Sequence, residues 1–418
     1  MVLSRQLRAV FFGTVLVVAA FSTGIDLLFF LLYLLAILLV ATRWYARRGL
    51  RGLRAGYHVR NPRSQVGESL EAVYRIDNDT RLNKPWVEVS NDSTLPTALP
   101  GRVIGIRARG SRQWLAKVRL SRRGSYRLGA LRVRTGDPFG LFTSEMVVGR
   151  PTWIVVFPKV FSLPHWRLPP SPVDGSTPSR RRYEAATPLV ATVRPYVYGD
   201  AINRIHWLSS VRHGELYVKE FDLEQAADLW LLLDLDRTAH AGPVETGSVE
   251  TAVSAAASIA IHTLAENRAV GITVSSRRQQ QITPDRGTRV EQKILHLLAN
   301  VQADGSTPLA EVLVGTLPQL RRGMTLSIVT GSTDREWVRG LAAMRRRGIA
   351  TIVVLLDRFS FADIDDDKSR AELAAVRHAL AEYGVAHHLV RSGDDLSTVL
   401  GRPAMGARAP AIRERSRA

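Results

Sequence analysis

The stretch LWLLLDLDRT, Leu229–Thr238, begins with the apolar run 229–233, which is followed by Asp234 and, after one leucine, by Asp236. An uninterrupted run of this length is typical of a strand buried on both faces of a parallel sheet. Further strands are predicted near 270–274, 325–329, 351–356 and 386–390, with helices near 249–266, 289–301, 334–346 and 370–383. Residues 229–400 are therefore predicted to form a Rossmann-like, three-layer α/β domain with a parallel sheet, in which ligands bind at the carboxyl ends of the strands.

Composition narrows the functional classes before any motif is considered. The chain has 418 residues, 45% of them hydrophobic, and no cysteine. The missing thiols exclude disulfide scaffolds, thiolate zinc sites, iron–sulfur clusters and cysteine nucleophiles. Lysine and arginine outnumber the acidic residues by 57 to 38, for a formal charge of +19. Because the arginines are spread over every segment, the expected partner is an anionic membrane leaflet or an acidic protein, and not nucleic acid.

The amino terminus is predicted to form a membrane anchor. Residues 10–40 are almost all apolar and are interrupted only by the polar patch Ser22–Asp26. A two-helix transmembrane hairpin with basic flanks over residues 1–55 fits this pattern, and Trp44 and Tyr45 would lie at the interface. A cleaved signal peptide is the alternative. The arginines outside both apolar stretches predict a multi-pass protein of the plasma membrane, with both termini and the soluble domains in the cytoplasm.

Three further segments are defined by their composition. Residues 56–163 are predicted to form a β-sandwich, because short runs alternate apolar and polar side chains between turn residues. The sandwich carries no catalytic motif and serves either for packing or for docking. A Pro- and Ser-rich linker is predicted at 164–192, and a disordered basic tail at 401–418.

Residues 193–228 form a segment with its own signature, which is predicted to pack on the α/β domain. VRPYVYGDAINRIHWLSSVRHGELYVKEF, residues 193–221, places a Gly-Asp turn close to several arginines and a tryptophan. The charged residues predicted to pair around Trp207 are Arg194, Asp200, Arg204 and Arg212. Two interpretations stay open: a structural clasp between linker and domain, or a surface that binds a partner.

This segment resembles the domain of unknown function 58 family, whose members carry Arg-x-Tyr-x-x-Gly-Asp-x-x-Arg-Arg-Ile-x-Trp before a von Willebrand factor type A-like domain. The matching residues are Arg194, Tyr196, Gly199, Asp200, Arg204, Ile205 and Trp207. Asn203 stands where the family usually has the first of its two adjacent arginines. DPFGLF at 137–142 and the two amino-terminal helices are further family features, so the resemblance extends over nearly the whole chain.

The resemblance implies a D-x-S-x-S type metal site at the end of the first strand. The implied ligands are Asp234, Asp236, Thr238 and Thr307. Such an all-oxygen set suits Mg²⁺, which leaves a coordination position for a partner's carboxylate. The family's last aspartate is missing, since residues 329–331 read Val-Thr-Gly and Asp334 lies beyond them. The alternative is that both aspartates of the first strand only cap loops or helix starts.

The same strand end also resembles D-x-D-x-T, the first motif of haloacid-dehalogenase-type phosphotransferases. In that interpretation Asp234 is the nucleophile and Asp236 the general acid and base. In the same interpretation Thr330 holds a phosphoryl oxygen and Lys368 stabilises the intermediate. Asp394 and Asp395 hold Mg²⁺. This Mg²⁺-dependent enzyme is the alternative function.

The preferred hypothesis is a bacterial, membrane-anchored, non-enzymatic adaptor that uses a von Willebrand A-like domain for protein–protein interaction. No P-loop, H-E-x-x-H or G-x-S-x-G motif occurs in the sequence, and no small-molecule substrate is expected. The resemblance implies cooperation with a MoxR-type AAA+ ATPase in assembling or maturing other proteins, often those of the cell envelope. Apart from Mg²⁺, no cofactor is expected.

Overall fold

The chain divides into two units, one made of Met1–Val160 and Leu295–Val301, the other of Phe161–Ile294 and Gln302–Ala418. The structure, a computed structural model, describes residues 2–137, 139–169, 190–197, 205–221 and 228–406. The first unit contains two apolar helices and a β-sandwich. The second contains the α/β domain that the apolar strands predict.

Two apolar helices begin the chain: α1 is Val2–Thr23 and α2 is Asp26–Gly49. Gly24 between them has a φ of +65°, a left-handed conformation that lets the chain reverse. α2 is long and apolar enough to cross a membrane, whereas the apolar part of α1, Val10–Thr23, is shorter. Among the residues that the structure describes, one candidate spanning helix is therefore found instead of the predicted pair, because a spanning helix needs about 20 apolar residues and polar residues occupy the start of α1.

A β-sandwich follows, as the alternating pattern predicts. Its strands are β1 (Leu53–Val59), β2 (Arg63–Gln65), β3 (Ser69–Asn78), β4 (Lys84–Ser93), β5 (Arg102–Ile106), β6 (Ser111–Arg119), β7 (Gly124–Gly136), β8 (Thr143–Val148) and β9 (Thr152–Phe157). One sheet has the order β1-β3-β6; the other has the order β2-β9-β7-β4-β5, with β8 paired to β7. Alternate residues of β3, such as Leu70 and Ile76, are buried and share one core with Val87, Leu128 and Ile154 of the other sheet.

The last turn of α2 is fixed to the sandwich within this unit. Gly49 is buried, and a Cβ at this position would lie 2.5 Å from Cγ2 of Thr135 on β7. Lys84 of β4, also buried, donates from Nζ to the carbonyl oxygen of Arg48 at 2.8 Å. This contact adds a side-chain donor to a carbonyl that also accepts from the N–H of Arg51 at 3.2 Å. One end of the sandwich therefore adjoins the end of α2.

The second unit begins with a small hairpin and continues into a six-stranded sheet. The hairpin consists of β10 (Val190–Pro195), α3 (Trp207–His213) and β11 (Tyr217–Phe221). The sheet strands are β12 (Leu229–Asp234), β13 (Val270–Ser275), β14 (Gln280–Asp285), β15 (Thr325–Thr330), β16 (Ala350–Leu356) and β17 (Ala386–Val390). Its helices are α4 (Ser248–Ala265), α5 (Thr288–Asn300, which ends in the first unit), α6 (Leu309–Thr316), α7 (Glu336–Arg346), α8 (Arg358–Phe361), α9 (Asp367–Glu382) and α10 (Leu396–Gly401).

The sheet has the order β14-β13-β12-β15-β16-β17 and is parallel except at one edge. Every residue of β12, β13 and β15 is buried, and the apolar run at 229–233 predicts this for β12. β14 pairs antiparallel with β13 and corrects the prediction of an all-parallel sheet. Its sequence QQITPD has no apolar run, which fits an edge strand, since four of its six residues are exposed.

Two predicted boundaries also change. Trp166, inside the predicted linker at 164–192, is 3% exposed, and its ring lies 5.2 Å from that of His388 on β17. Met405, inside the predicted disordered tail at 401–418, forms a backbone bridge with His387. This bridge uses the open edge of β17, the last strand of the sheet. Residues 170–189 and 407–418 of these two segments lie outside the described residues.

Candidate functional site

The carboxyl edge of the six-stranded sheet brings several predicted site residues together. The chain places β13 and β14 on one side of β12, and then returns to place β15, β16 and β17 on the other. The strand order therefore reverses between β12 and β15, and such a reversal opens a crevice at the carboxyl ends of the strands. Asp234 is the last residue of β12 and Thr330 is the last of β15, so both lie at this crevice.

Asp234 is completely buried and accepts two hydrogen bonds. Thr330 Oγ1 donates to Asp234 Oδ2 at 2.7 Å, and the backbone N–H of Asp236 donates to Asp234 Oδ1 at 3.0 Å. Burial raises the pKa of Asp234 to about 6, because desolvation outweighs the two hydrogen bonds that stabilise the charged form. A buried carboxyl group with a raised pKa at a strand end is a candidate functional residue.

Asp236 and Thr238 shape the loop outside Asp234. Asp236 Oδ1 accepts from both the N–H and the Oγ1 of Thr238 at 2.7 Å, which caps the short 3-10 turn Arg237–Ala239. Asp236 also forms a backbone bridge with Gly305. This bridge brings the loop that contains Thr307 to the same edge, where Thr307 is exposed. The four predicted ligand residues therefore belong to one edge of the sheet.

Two residues of this edge were missed by sequence reasoning. His240 bridges two elements: its Nε2 lies 2.8 Å from the carbonyl oxygen of Asp234, and its Nδ1 lies 3.1 Å from Ser248 Oγ at the start of α4. Arg358, the first residue of α8, donates to the carbonyl oxygen of Thr238 and pairs with Glu372 at 3.7 Å. Both residues contact the site through backbone carbonyl oxygens, and a sequence motif does not predict contacts of this kind. The one available signal was that Arg358 follows a strand that ends at this edge.

The site residues fit Mg²⁺ in ligand type but not in carboxylate number. Asp234, Asp236, Thr238 and Thr307 offer only oxygen atoms, which Mg²⁺ prefers. Within the described part of the chain, however, no group of three or more His, Cys, Asp or Glu side chains is placed to hold a metal ion. Asp334 does not supply a third carboxylate, since it accepts from the N–H of Glu336 at 3.0 Å at the start of α7. Mg²⁺ binding at this edge stays a prediction.

The topology does not assemble the phosphotransferase set. Lys368 is exposed in the first turn of α9. Asp394 and Asp395 follow β17, which lies three strands away from β12, or about 14 Å at about 4.8 Å per strand. Asp394 accepts from the N–H of Arg391 at 2.8 Å, and Asp395 accepts from Thr398 Oγ1 at 2.7 Å. The expected nucleophile, Asp234, is 0% exposed and offers no atom to a substrate in this conformation.

The signature segment presents an exposed apolar helix. Trp207, Leu208 and Val211 of α3 are 62%, 71% and 82% exposed. The opposite side of α3 holds the hairpin together, since Ser210 is buried and its Oγ accepts from the N–H of Tyr217 at 2.8 Å. Trp207 is therefore not buried against the hairpin, and both interpretations of the segment, a structural clasp and a partner-binding surface, stay predictions.

The other residues predicted to pair around Trp207 are not all described. Arg212 is exposed on α3. Asp200 and Arg204 lie outside the described residues, and the side chain of Arg194 is likewise not described. The predicted ion network around Trp207 therefore stays a prediction.

Comparison with known proteins gives one family match and one relative. Residues 192–361 match the family model described as "Protein of unknown function DUF58", which confirms the predicted resemblance over that part of the chain. The chain is 28% identical over 220 residues to "Uncharacterized protein YeaD" of Bacillus subtilis (strain 168), covering 51% of this chain and 52% of that protein. The chain thus spans about half the length of the curated relative it matches.

Similarity to solved structures is low. Proximal thread matrix protein 1 from the mussel byssus has a TM-score of 0.28 at 12% identity, covering 42% of this chain and 46% of that chain. The CARDB domain of the PF1109 protein from Pyrococcus furiosus has a TM-score of 0.20 at 12% identity, covering 25% of this chain and 91% of that chain. Neither similarity carries an argument about fold or function.

Proposed function

We propose, from the family match over residues 192–361 and the geometry of the second unit, that this chain is a membrane-anchored, non-enzymatic adaptor. The exposed apolar side of α3, formed by Trp207, Leu208 and Val211, carries this proposal. Clustered apolar side chains in contact with water mark surfaces that a partner covers, and tryptophan is among the residues most enriched at the energetic centres of interfaces. The proposed partner is a MoxR-type AAA+ ATPase, and the proposed task is assembly or maturation of cell-envelope proteins.

A von Willebrand A-like fold of the α/β domain is part of the proposal. It is supported by the reversal of strand order beside β12, the antiparallel edge strand β14 and the D-x-D-x-T run at Asp234. Asp236, Thr238 and Thr307 lie in loops at this edge, so the edge offers a second surface to a partner. Bound Mg²⁺ would supply a coordination position for a partner's carboxylate, with Asp234, Asp236, Thr238 and Thr307 as its holders.

The membrane anchor completes the proposal. α2 has the length and apolar composition of a spanning helix, and it carries Arg47 and Arg48 in its last turn. Arginines at the end of a spanning helix favour the cytoplasmic side. We therefore place the chain in the plasma membrane with its soluble domains in the cytoplasm.

Trp207→Ala is expected to weaken the complex at least tenfold and to leave the fold intact. Because Trp207 is 62% exposed, its removal should cost the folded chain less than about 1 kcal/mol, whereas a central interface tryptophan contributes about 2 kcal/mol or more to binding. The measurement is recovery of the ATPase by tagged full-length protein from its native membranes in mild detergent, with Mg²⁺ and ATP, quantified by mass spectrometry.

The matched control is Trp153→Ala, since Trp153 is 67% exposed on β9 of the sandwich. If recovery of the ATPase falls equally in both variants, or falls in neither of them, α3 is ruled out as the interface. Failure of the wild-type chain to recover a stoichiometric AAA+ ATPase would remove the proposed partner.

The same recovery assay tests the carboxyl edge of the sheet. Asp234→Asn should reduce recovery of the ATPase, because it removes a carboxylate from the proposed holders of Mg²⁺. Asp285→Asn should not, since Asp285 pairs with Val270 at the amino edge and is exposed. Equal recovery with both variants would exclude the edge from the interface.

A further inference from the structure

An open groove of about 420 Å³ lies at one end of the three-stranded sheet of the sandwich. Arg54, Arg75 and Arg109 line it, together with Asp77 and Asp79. We call it the arginine groove. Its volume falls in the range of about 300–1,000 Å³ that is usual for small-ligand sites. Three arginines against two aspartates leave one net positive charge, so the groove favours an anion.

Two of the three arginines are positioned by ion pairs. Arg54 Nε lies 2.8 Å from Asp79 Oδ2, and Arg75 Nε lies 3.0 Å from Asp77 Oδ2. Both pairs use Nε, which leaves the terminal amino groups of the two guanidinium groups as donors for a ligand. The arginines are 80% and 66% exposed, so the pairs orient these side chains without removing them from water.

Arg109 is the third arginine and differs from the other two. It forms no ion pair with any residue that the structure describes. Its φ is +54°, a left-handed conformation that residues other than glycine rarely adopt, and its N–H donates to the carbonyl oxygen of Thr80 at 2.9 Å. Glycine would take this backbone conformation without strain. An arginine kept there at a conformational cost points to a role for its side chain.

The arginine groove lies at the end of the sandwich that adjoins α2. The N–H of Asp79 donates to the carbonyl oxygen of Gly52, just after α2 ends, at 2.8 Å. Further exposed arginines follow α2, lie in the neighbouring turns or belong to the start of β6: Arg51, Arg81, Arg107 and Arg112. Arg43, the first arginine after the apolar stretch of α2, precedes Gly49 by about 9 Å along the helix axis. With α2 across a bilayer, the groove opens near the lipid phosphates.

We infer that the arginine groove binds a phosphate group through the guanidinium groups of Arg54, Arg75 and Arg109, and that this phosphate is the headgroup of an anionic phospholipid. Planar guanidinium groups donate paired hydrogen bonds to phosphate oxygens. Basic residues next to a spanning helix attract anionic lipids. The lipid source rests on the proposed membrane anchor, whereas the phosphate chemistry rests on the groove alone.

The test titrates the full-length protein in neutral detergent with short-chain phosphatidylglycerol, short-chain phosphatidylcholine and inorganic phosphate, by calorimetry. Arg109→Gln is expected to weaken phosphatidylglycerol binding about tenfold, because it removes a charged donor without breaking an ion pair. Arg109→Gly should weaken binding as much and unfold at no lower temperature than the wild type, because it relieves the positive φ. The matched control is Arg119→Gln, since Arg119 is exposed at the opposite end of β6 from Ser111 of the groove.

The headgroup site would be supported if the wild type prefers phosphatidylglycerol over phosphatidylcholine, both Arg109 variants lose this preference and Arg119→Gln keeps it. Inorganic phosphate that binds as tightly, with the same dependence on Arg109, would support the phosphate site and overturn its lipid source. Equal binding by the wild type and both Arg109 variants would overturn the site. Alkaline extraction of native membranes tests the anchor separately, because release of the chain would refute anchoring and leave the phosphate titration unaffected.

Discussion

Asp234→Asn should stabilise the folded chain by about 3 kcal/mol at a pH well above 6. Burial raises the pKa of Asp234 from 3.8 to about 6, and each pKa unit corresponds to about 1.4 kcal/mol. Asparagine keeps a carbonyl oxygen for the N–H of Asp236 and places an amide opposite Thr330, whose hydroxyl can accept in return. The variant therefore no longer buries a negative charge and gains stability.

The gain from Asp234→Asn should depend on pH with a definite sign. Because the pKa of Asp234 is raised in the folded state, the folded chain holds this proton more tightly than the unfolded chain does. The stability that protonation contributes is complete below pH 3.8 and is lost as the pH rises through about 6. The difference in free energy of unfolding between variant and wild type should be small at pH 3.8 and largest above about pH 6. Denaturant unfolding at a series of pH values measures it, and all other titrating groups cancel in the comparison.

Asp285→Asn is the control for this series, since Asp285 is exposed and its replacement should change stability by less than about 0.5 kcal/mol. Equal stability of Asp234→Asn and wild type at every pH would contradict the raised pKa. The same pair of proteins tests the Mg²⁺ prediction. A bound ion would raise the free energy of unfolding of the wild type and not of Asp234→Asn, and no rise in the wild type would reject the metal site.

Gly331→Ala should destabilise the α/β unit by about 3 kcal/mol, the upper part of the range for overpacking. Gly331 follows Thr330 at the end of β15, and a Cβ added to it would lie 2.1 Å from the carbonyl oxygen of Ala239. That neighbour is backbone and cannot rotate away, so the loops must separate. Ala239 ends the turn that Asp236 caps, so the clash should also displace the loop of Thr238.

Gly315→Ala is the matched control, because a Cβ at Gly315 in α6 would meet no atom within 4 Å. This change should be neutral or stabilising by up to about 1 kcal/mol, since alanine favours the helix over glycine. Denaturant unfolding of the two variants and the wild type makes the comparison. A loss in Gly331→Ala no larger than in Gly315→Ala would mean that the edge relaxes freely around the added methyl group.

Much of the α/β unit follows from local sequence patterns. The runs at 229–233, 325–329 and 386–390 predict β12, β15 and β17, each to within one residue. β14 is not predicted because most of its residues are polar, and α6 is not predicted because it lies in a stretch with no strong periodicity. Edge strands and short helices derive their stability from neighbours that are distant in sequence.

Part of the candidate site also follows from sequence. The buried strand β12 ends at Asp234 as the sequence predicts, whereas Asp236 lies two residues beyond the strand and caps the following turn. His240 and Arg358 could not be predicted, because each contacts the site through a carbonyl oxygen and not through a motif. Lys368, Asp394 and Asp395 were grouped with Asp234 by spacing alone, and strand order separates them.

The sequence by itself determined the central strands of the sheet, the longer helices and the apolar amino-terminal helices, because each depends on side-chain periodicity within a few residues. Only the tertiary structure decided which side chains meet. Asp234 and Thr330 are 96 positions apart, and their hydrogen bond exists because the chain returns to place β15 beside β12. The burial that raises the pKa of Asp234, the exposure of Trp207 and the convergence of Arg54, Arg75 and Arg109 have the same origin. Burial and proximity depend on how distant segments pack, and no local pattern encodes that packing.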